Sequence, residues 1–158
     1  MRELILLRHA HAEPSLPDQA DMDRPLSAEG IAEAEAAGRW LASQKLVPDC
    51  VLCSPSRRTR ETLEAVLGVV GYVEQRVEGS LYEASPGALI ALADGHVEVE
   101  RLMLVGHNPG LEQLAALLHS GQSGDYRGMP PAAIAVLRLP VDAVVEPGIA
   151  ELSTFWWP

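Results

Sequence analysis

The sequence is short of cations and has no long apolar run, and each shortage excludes a class of protein. Only 12 Lys and Arg stand against 22 Asp and Glu, which gives a formal charge of −10. Nonspecific binding to nucleic acid or to an anionic membrane requires a positive field, so this charge argues against both. The apolar runs are too short for a spanning helix or a signal peptide. We therefore expect a cytoplasmic protein with no nucleic-acid and no membrane partner.

Cysteine is also scarce, and both cysteines fall in one stretch, Cys50-Val-Leu-Cys53. Residues three apart on a strand point to opposite faces, so this spacing suits neither a disulfide nor shared metal ligation. We interpret both cysteines as core residues rather than as a redox pair.

What the sequence does contain is an alternation of strands and helices. Nearly continuous apolar runs at 4–7, 50–53 and 102–105 are typical of strands that are covered on both faces. Helical patterns follow them, with N-caps predicted at Ser27, Ser85 and Asn108, and with Pro109 at the first helical position of the last helix. The first helix places Ile31, Ala34, Gly38 and Leu41 on one apolar stripe.

This alternation predicts a three-layer α/β/α sandwich with a mostly parallel central sheet. Residues 132–140 and 150–158 are expected to add one or two antiparallel edge strands. At 158 residues, 47% of them hydrophobic and 22% charged, the chain fits one domain that spans residues 1–158.

Histidines and arginines follow the three apolar runs. Arg8 and His9 come after the first, Arg57 and Arg58 after the second, and His107 after the third. Ligands of open α/β sheets bind outside the carboxyl ends of the strands, so we expect these side chains to converge. Arginine forks suit a phosphate, and the helix that starts near Asn108 adds N–H groups that favour an anion.

The pairing of imidazole with arginine indicates phosphoryl transfer. A neutral imidazole can attack phosphorus and carry the phosphoryl group covalently. Charge that spreads over the equatorial oxygens can be stabilised by arginines and a second histidine without a metal. We predict His9 as the nucleophile and His107 as the stabiliser.

Three stretches, "LLRHA", "SPSRRTRET" and "VGHNPG", together resemble the histidine phosphatases related to phosphoglycerate mutase. The piece "DRPLSAEG" and the short length resemble the branch of small bacterial phosphohistidine phosphatases. The resemblance implies a phosphoglycerate mutase-like fold and a phosphatase that needs no cofactor. The substrate would be a phosphohistidine in a protein or a small phosphorylated molecule, and we expect a monomer.

The resemblance also assigns roles to individual residues. It makes His9 the phosphorylated residue, His107 the second catalytic histidine, and Arg8 and Arg58 phosphate ligands. Arg24 would close over the substrate from a loop, and Asn108 is predicted to bind substrate as well. Glu83 stands in about the region where larger members place a general acid. The small branch manages without one, because an imidazole leaves more readily than an alkoxide.

Other interpretations of the same residues stay open. His9-Ala10-His11 begins like a metallohydrolase motif, although the further His and Asp ligands of such a site are not close by. A non-catalytic phosphate-binding regulatory module is a third alternative, disfavoured because a pure binder has little need for a nucleophile. Arg57 and Arg60 are interpreted as a solvated helix face. The loop carboxylates Asp18, Asp21 and Asp23 are interpreted as solvated, with contact to a basic group on a protein substrate as the alternative.

Overall fold

Within the residues that the computed structural model describes, 2–124 and 128–158, six strands form one sheet. The strands are β1 (Arg2–Arg8), β2 (Cys50–Cys53), β3 (Glu74–Val77), β4 (Arg101–Gly106), β5 (Ile134–Leu139) and β6 (Glu151–Trp156). Their order across the sheet is β3-β2-β4-β1-β5-β6. The first four are parallel, β5 pairs antiparallel with β1, and β6 pairs antiparallel with β5, so the predicted antiparallel edge is confirmed.

Alternate residues of β1 belong to two separate cores. Leu4 and Leu6 pack into one hydrophobic cluster, whereas Ile5 and Leu7 pack into the other, and all four are fully buried. This explains why the strand is apolar throughout rather than alternating. Cys50 and Cys53 fall into opposite clusters as free thiols, which confirms the interpretation as core residues.

Helices cover both faces of the sheet. Helix α1 (Ala28–Ser43) and helix α2 (Arg57–Val70) pack against each other on one face, and α3 (Pro86–Asp94) and α4 (Gly110–Ser120) pack together on the other. The predicted three-layer α/β/α sandwich is therefore confirmed.

Serine caps begin three of the helices, and two of them, Ser27 and Ser85, are predicted from the sequence. The hydroxyl of Ser27 accepts from the backbone of Gly30, and Ser56 and Ser85 accept in the same way from the third residue of their helices. The prediction at Asn108 is wrong. Helix α4 begins at Gly110, and Pro109 stands at the cap position rather than at the first helical position. The Nδ2 of Asn108 donates to Glu112 and to the Met129 carbonyl, and its Oδ1, which a cap would use, has no partner among the described residues.

Solvent exposure explains one expectation that fails and one strand that the sequence does not indicate. Ile31 is 45% exposed, because the buried stripe of α1 runs through Gly30, Ala34 and Leu41. Strand β3 gives no apolar run in the sequence, because all four of its residues are exposed at the sheet edge.

The loops near the sheet edge contain two short 3₁₀ turns, Asp21–Asp23 and Gly79–Leu81. Among the described helices, none has the length and hydropathy that crossing a membrane would require.

Candidate active site

A cavity of about 570 Å³ lies where β1, β2 and β4 end. The structure brings all the sequence-predicted site residues to its lining, namely Arg8, His9, Arg24, Arg58, Glu83, His107 and Asn108. His11 is not part of this lining, and its Nδ1 lies 2.7 Å from the Ser27 hydroxyl.

His9 is the first residue after β1, and its backbone is fixed on both sides. Its N–H donates to the Gly106 carbonyl at 3.0 Å, and its carbonyl accepts from Ala132 at 3.1 Å. The ring Nδ1 lies 2.7 Å from the Ala10 carbonyl oxygen. A carbonyl oxygen only accepts, so Nδ1 carries the proton and Nε2 keeps its lone pair. Burial lowers the pKa of His9 to about 3, so the ring is neutral at neutral pH.

A threonine of helix α2 ties His9 to Arg58. The Thr62 hydroxyl accepts from the Ala10 backbone N–H at 3.0 Å and donates to the Arg58 carbonyl at 2.7 Å. Ala10 and Thr62 are both fully buried. Arg58 and Thr62 are one helical turn apart. Their spacing therefore sets the distance between Arg58 and the backbone that follows His9.

Arg8 enters the cavity with part of its guanidinium already held. Its Nη1 donates to the Met129 carbonyl at 2.9 Å, while its buried Nε has no partner among the described residues. Burial lowers the pKa of Arg8, but a guanidinium stays charged in proteins. One edge of Arg8 is thus left for a ligand that accepts hydrogen bonds.

Arg58 and His107 contact each other. Arg58 is 7% exposed, and its Nη2 donates to Nδ1 of His107 at 3.4 Å. Nε2 of His107 lies 2.8 Å from the Ser54 hydroxyl. Burial, and next the charge of Arg58, lower the pKa of His107 to about 4. The rings of His9 and His107 are 5.4 Å apart between centroids, so one phosphoryl group can touch both.

The interpretation of Asp21 as a solvated loop carboxylate is incomplete. The side chain is 46% exposed, but Asp21 also accepts from Arg58 through its carbonyl at 2.8 Å and its carboxylate at 2.9 Å. The Tyr82 hydroxyl donates to the same carboxylate oxygen, and Arg24 pairs with the other oxygen at 3.2 Å. The bond from Tyr82, and next that from Arg58, hold the pKa of Asp21 well below its usual range.

Three site residues, Ser54, Asp21 and Tyr82, have no role in the sequence prediction. Ser54 directly follows β2, so the rule that ligands bind at the strand ends could have found it. Asp21 lies 37 positions before Arg58, and no local spacing indicates their contact. Tyr82 packs its ring edge-on to His107 at 5.5 Å between centroids.

The rim beside Tyr82 is formed by Glu83, Ala84 and the start of α4. Glu83 has a backbone φ of 55°, in the left-handed region that few non-glycine residues adopt. A Cβ on Gly110 would lie 2.4 Å from the Ala84 carbonyl oxygen, so only glycine lets this loop approach the helix so closely. The close approach brings Glu83 to the cavity.

The described residues give the metal alternative no support. Among them, no group of three or more His, Cys, Asp or Glu side chains is arranged to hold a metal ion. His11 is bound to Ser27 rather than facing the cavity with His9.

Comparisons with known proteins agree with this geometry. The sequence model of the histidine phosphatase superfamily (branch 1) matches residues 4–97. An uncharacterized protein of Mycobacterium tuberculosis H37Rv is 39% identical over 158 residues, which cover 94% of this chain and 98% of that protein. Phosphohistidine phosphatase SixA of Escherichia coli K12 is 27% identical over 127 residues, which cover 77% of this chain and 76% of SixA.

Solved structures give the same result. A candidate phosphohistidine phosphatase SixA from Agrobacterium tumefaciens matches with a TM-score of 0.85 at 30% identity, covering 99% of this chain and 98% of the other. Protein histidine phosphatase SixA complexed with tungstate matches with a TM-score of 0.80 at 26% identity, covering 98% and 94% of the two chains.

Proposed function

The chain belongs to the histidine phosphatase superfamily and has its phosphoglycerate mutase-like fold, and from this premise we propose that it is a metal-independent phosphatase with His9 as nucleophile. The observation that carries the proposal is the hydrogen bond of His9 Nδ1 to the Ala10 carbonyl, 2.7 Å long. It leaves the lone pair on Nε2, in a cavity that Arg8, Arg58 and His107 also line.

In the first half-reaction, the Nε2 lone pair of His9 attacks phosphorus. The N–P bond forms as the bond to the leaving group breaks, and the leaving group takes the bonding electrons. Arg8 and Arg58 donate to the equatorial oxygens, where the charge spreads. The dianion raises the pKa of His107, which can then take up a proton at Nδ1 and donate to the phosphoryl group as well.

In the second half-reaction, water attacks phospho-His9. The N–P bond breaks, the electron pair returns to Nε2, and inorganic phosphate leaves with the oxygen of the water. The proton of the water passes to the phosphate or to solvent. His9 is again neutral, which its lowered pKa of about 3 favours.

For the substrate, we propose a phosphohistidine carried by a protein, with small phosphorylated molecules as the second class. SixA of Escherichia coli, to which the chain is 27% identical, is a phosphohistidine phosphatase. Imidazole is a better leaving group than an alkoxide, so this substrate does not require a strong general acid. We propose that the enzyme acts as a monomer in the cytoplasm and needs no cofactor.

Glu83 is proposed as a proton donor for the substrates that do require one. It lines the cavity next to Tyr82. Arg24 is proposed to close over the substrate from the same side, where it already pairs with Asp21. Asn108 stays a proposed substrate contact, although its amide also donates to Glu112 and Met129.

The experiment that tests the nucleophile is rapid quenching with a labelled phosphodonor. The wild-type protein is expected to form an adduct that is labile in acid and stable in alkali, as a phosphoramidate is. The adduct should be absent from His9→Ala and present in His11→Ala, the matched control two residues away. Full turnover by His9→Ala would overturn the proposal. Binding of phosphate with no turnover on any substrate would favour the regulatory-module alternative.

A further inference from the structure

Met129 connects three side chains around Arg8. Its carbonyl accepts from Nη1 of Arg8 and from Nδ2 of Asn108, both at 2.9 Å. Its backbone N–H donates to Oε2 of Glu112 at 3.3 Å, and Asn108 donates to the same oxygen at 3.1 Å. Glu112 therefore binds both the Met129 N–H and the Asn108 amide, the two groups next to the contact between Arg8 and the Met129 carbonyl.

The segment that contains Met129 also supports the backbone around the nucleophile. The Ala133 carbonyl accepts from the Arg8 N–H, and the Ala132 N–H donates to the His9 carbonyl, both at 3.1 Å. Met129 itself is 3% exposed and packs into the core. A carboxylate that fixes Met129 thus fixes a rigid support rather than a surface loop.

Charge gives a second reason to single out Glu112. Burial of the guanidinium lowers the pKa of Arg8. Two carboxylates raise this pKa, and the effect of Glu112 is larger than that of Glu33. A buried cation is costly unless a partner compensates it. Glu33 has a different hydrogen-bond partner, since its Oε1 accepts from the His11 backbone N–H at 2.9 Å.

We propose that Glu112 is a positioning residue that acts through Arg8. It fixes the Met129 carbonyl against Nη1, supplies the countercharge, and so leaves Nε and Nη2 of Arg8 to grip a phosphoryl group as a fork. The role of Glu112 rests on one part of the proposed function, namely that Arg8 binds phosphate. Nε of Arg8, buried with no partner among the described residues, is the donor that the ligand would satisfy.

The test is a double-mutant cycle on the affinity for inorganic phosphate, measured by calorimetry. In the wild-type background, Glu112→Ala is expected to raise the Kd about tenfold, a change typical of residues that act as one network. In the Arg8→Ala background, the same substitution should change the Kd less than about twofold. A merely structural role would weaken binding equally in both backgrounds, and that result would overturn the proposal.

Two further variants keep the test decisive. Glu112→Gln keeps an acceptor oxygen without the charge, so it should raise the Kd by about threefold, and it replaces Glu112→Ala in the cycle if the alanine variant does not fold. Glu33→Gln is the matched charge control and should leave the Kd within about twofold. The cycle needs no covalent chemistry, so a protein that binds phosphate but forms no phosphoenzyme would contradict the proposed function alone.

Discussion

Arg8 and His9 are neighbours in the chain, and both line the cavity because β1 ends at Arg8. On a continuous strand, adjacent side chains would face opposite sides of the sheet. The sequence was sufficient to predict this pair, because an apolar run that stops at a cation marks a strand end. It was insufficient for Asp21, whose contact with Arg58 depends on how a 3₁₀ turn folds over the cavity.

The two neighbouring arginines of α2 provide a test of this account at the residue scale. Arg58 is buried against His107, whereas Arg57 is exposed and pairs with Glu61. We expect Arg58→Ala to lower kcat/KM by about 10²- to 10³-fold, as the loss of one oxyanion donor does. Arg57→Ala should stay within about threefold of wild type, because a surface ion pair contributes little. Steady-state kinetics on one phosphorylated substrate would measure both, and equal losses would contradict the assignment.

Glu83 gives a prediction that separates substrate classes. If it protonates the leaving group, Glu83→Gln should slow hydrolysis of an alkyl phosphomonoester by about 10²-fold and leave a phosphohistidine peptide within about threefold. The difference arises because an alkoxide must be protonated as it leaves, whereas the imidazole of phosphohistidine can already carry a proton on its other ring nitrogen and leave as a neutral group. The readout is the ratio of kcat/KM for the two substrates. A ratio unchanged by the substitution would remove Glu83 from the mechanism.

At the scale of the elements, helix starts were predictable where a serine hydroxyl makes the cap and not at α4, where no side chain makes one. Ser27, Ser56 and Ser85 each cap a helix through the hydroxyl. Asn108 is a residue type that favours a cap, but the helix begins two residues later, at Gly110, and the Nδ2 of Asn108 donates to Glu112 and the Met129 carbonyl. Strand β3 was missed because an exposed edge strand carries no apolar pattern.

The surroundings of Gly30 in α1 and of Gly68 in α2 predict opposite effects of a substitution by alanine on the stability of the fold. A Cβ on Gly30 would lie 2.0 Å from the His11 carbonyl oxygen, whereas a Cβ on Gly68 would meet nothing within 4 Å. Gly30→Ala should therefore destabilise the fold by about 2 kcal/mol through backbone displacement. Gly68→Ala should stabilise it by about 0.5–1 kcal/mol, because alanine is the better helix former. Urea unfolding compares the two, and stabilisation by Gly30→Ala would contradict the packing described.

For the whole molecule, a chain of charge −10 builds a local site for an anion from cations that distant segments contribute. The layered fold was predictable, because strand and helix periods alternate along the sequence. The support of Arg8 by Met129 and Glu112 could not be predicted from the sequence, because Arg8 and Met129 are 121 positions apart and meet through a backbone carbonyl.

The buried histidines predict how stability depends on pH. In the folded state the pKa of His9 is about 3 and that of His107 about 4, in both cases chiefly because of burial. In the unfolded chain both are expected near about 6.5. As the pH falls from about 6.5 to about 4, the unfolded state binds more protons, so the free energy of unfolding decreases. Above that range both states are neutral, and the two histidines contribute no slope.

Urea unfolding at pH values of about 6.5 and about 5.5 would measure this effect, in a range above the ordinary titration of carboxylates, which have pKa values near about 4. His9→Gln removes one of the two groups, so its free energy of unfolding should fall less between these pH values than that of the wild type. An equal or larger fall in the variant would show that His9 does not resist protonation in the folded state.

The central claim is that a phosphoryl group becomes bonded to Nε2 of His9, and the most direct measurement is NMR of the trapped phosphoenzyme with ¹⁵N-labelled histidine. Phosphorus–nitrogen coupling identifies the bonded nitrogen. The hydrogen bond of Nδ1 to the Ala10 carbonyl predicts coupling to Nε2 of His9 alone. Coupling to Nδ1, phosphorylation of another residue such as His107, or turnover with no covalent adduct would contradict the account.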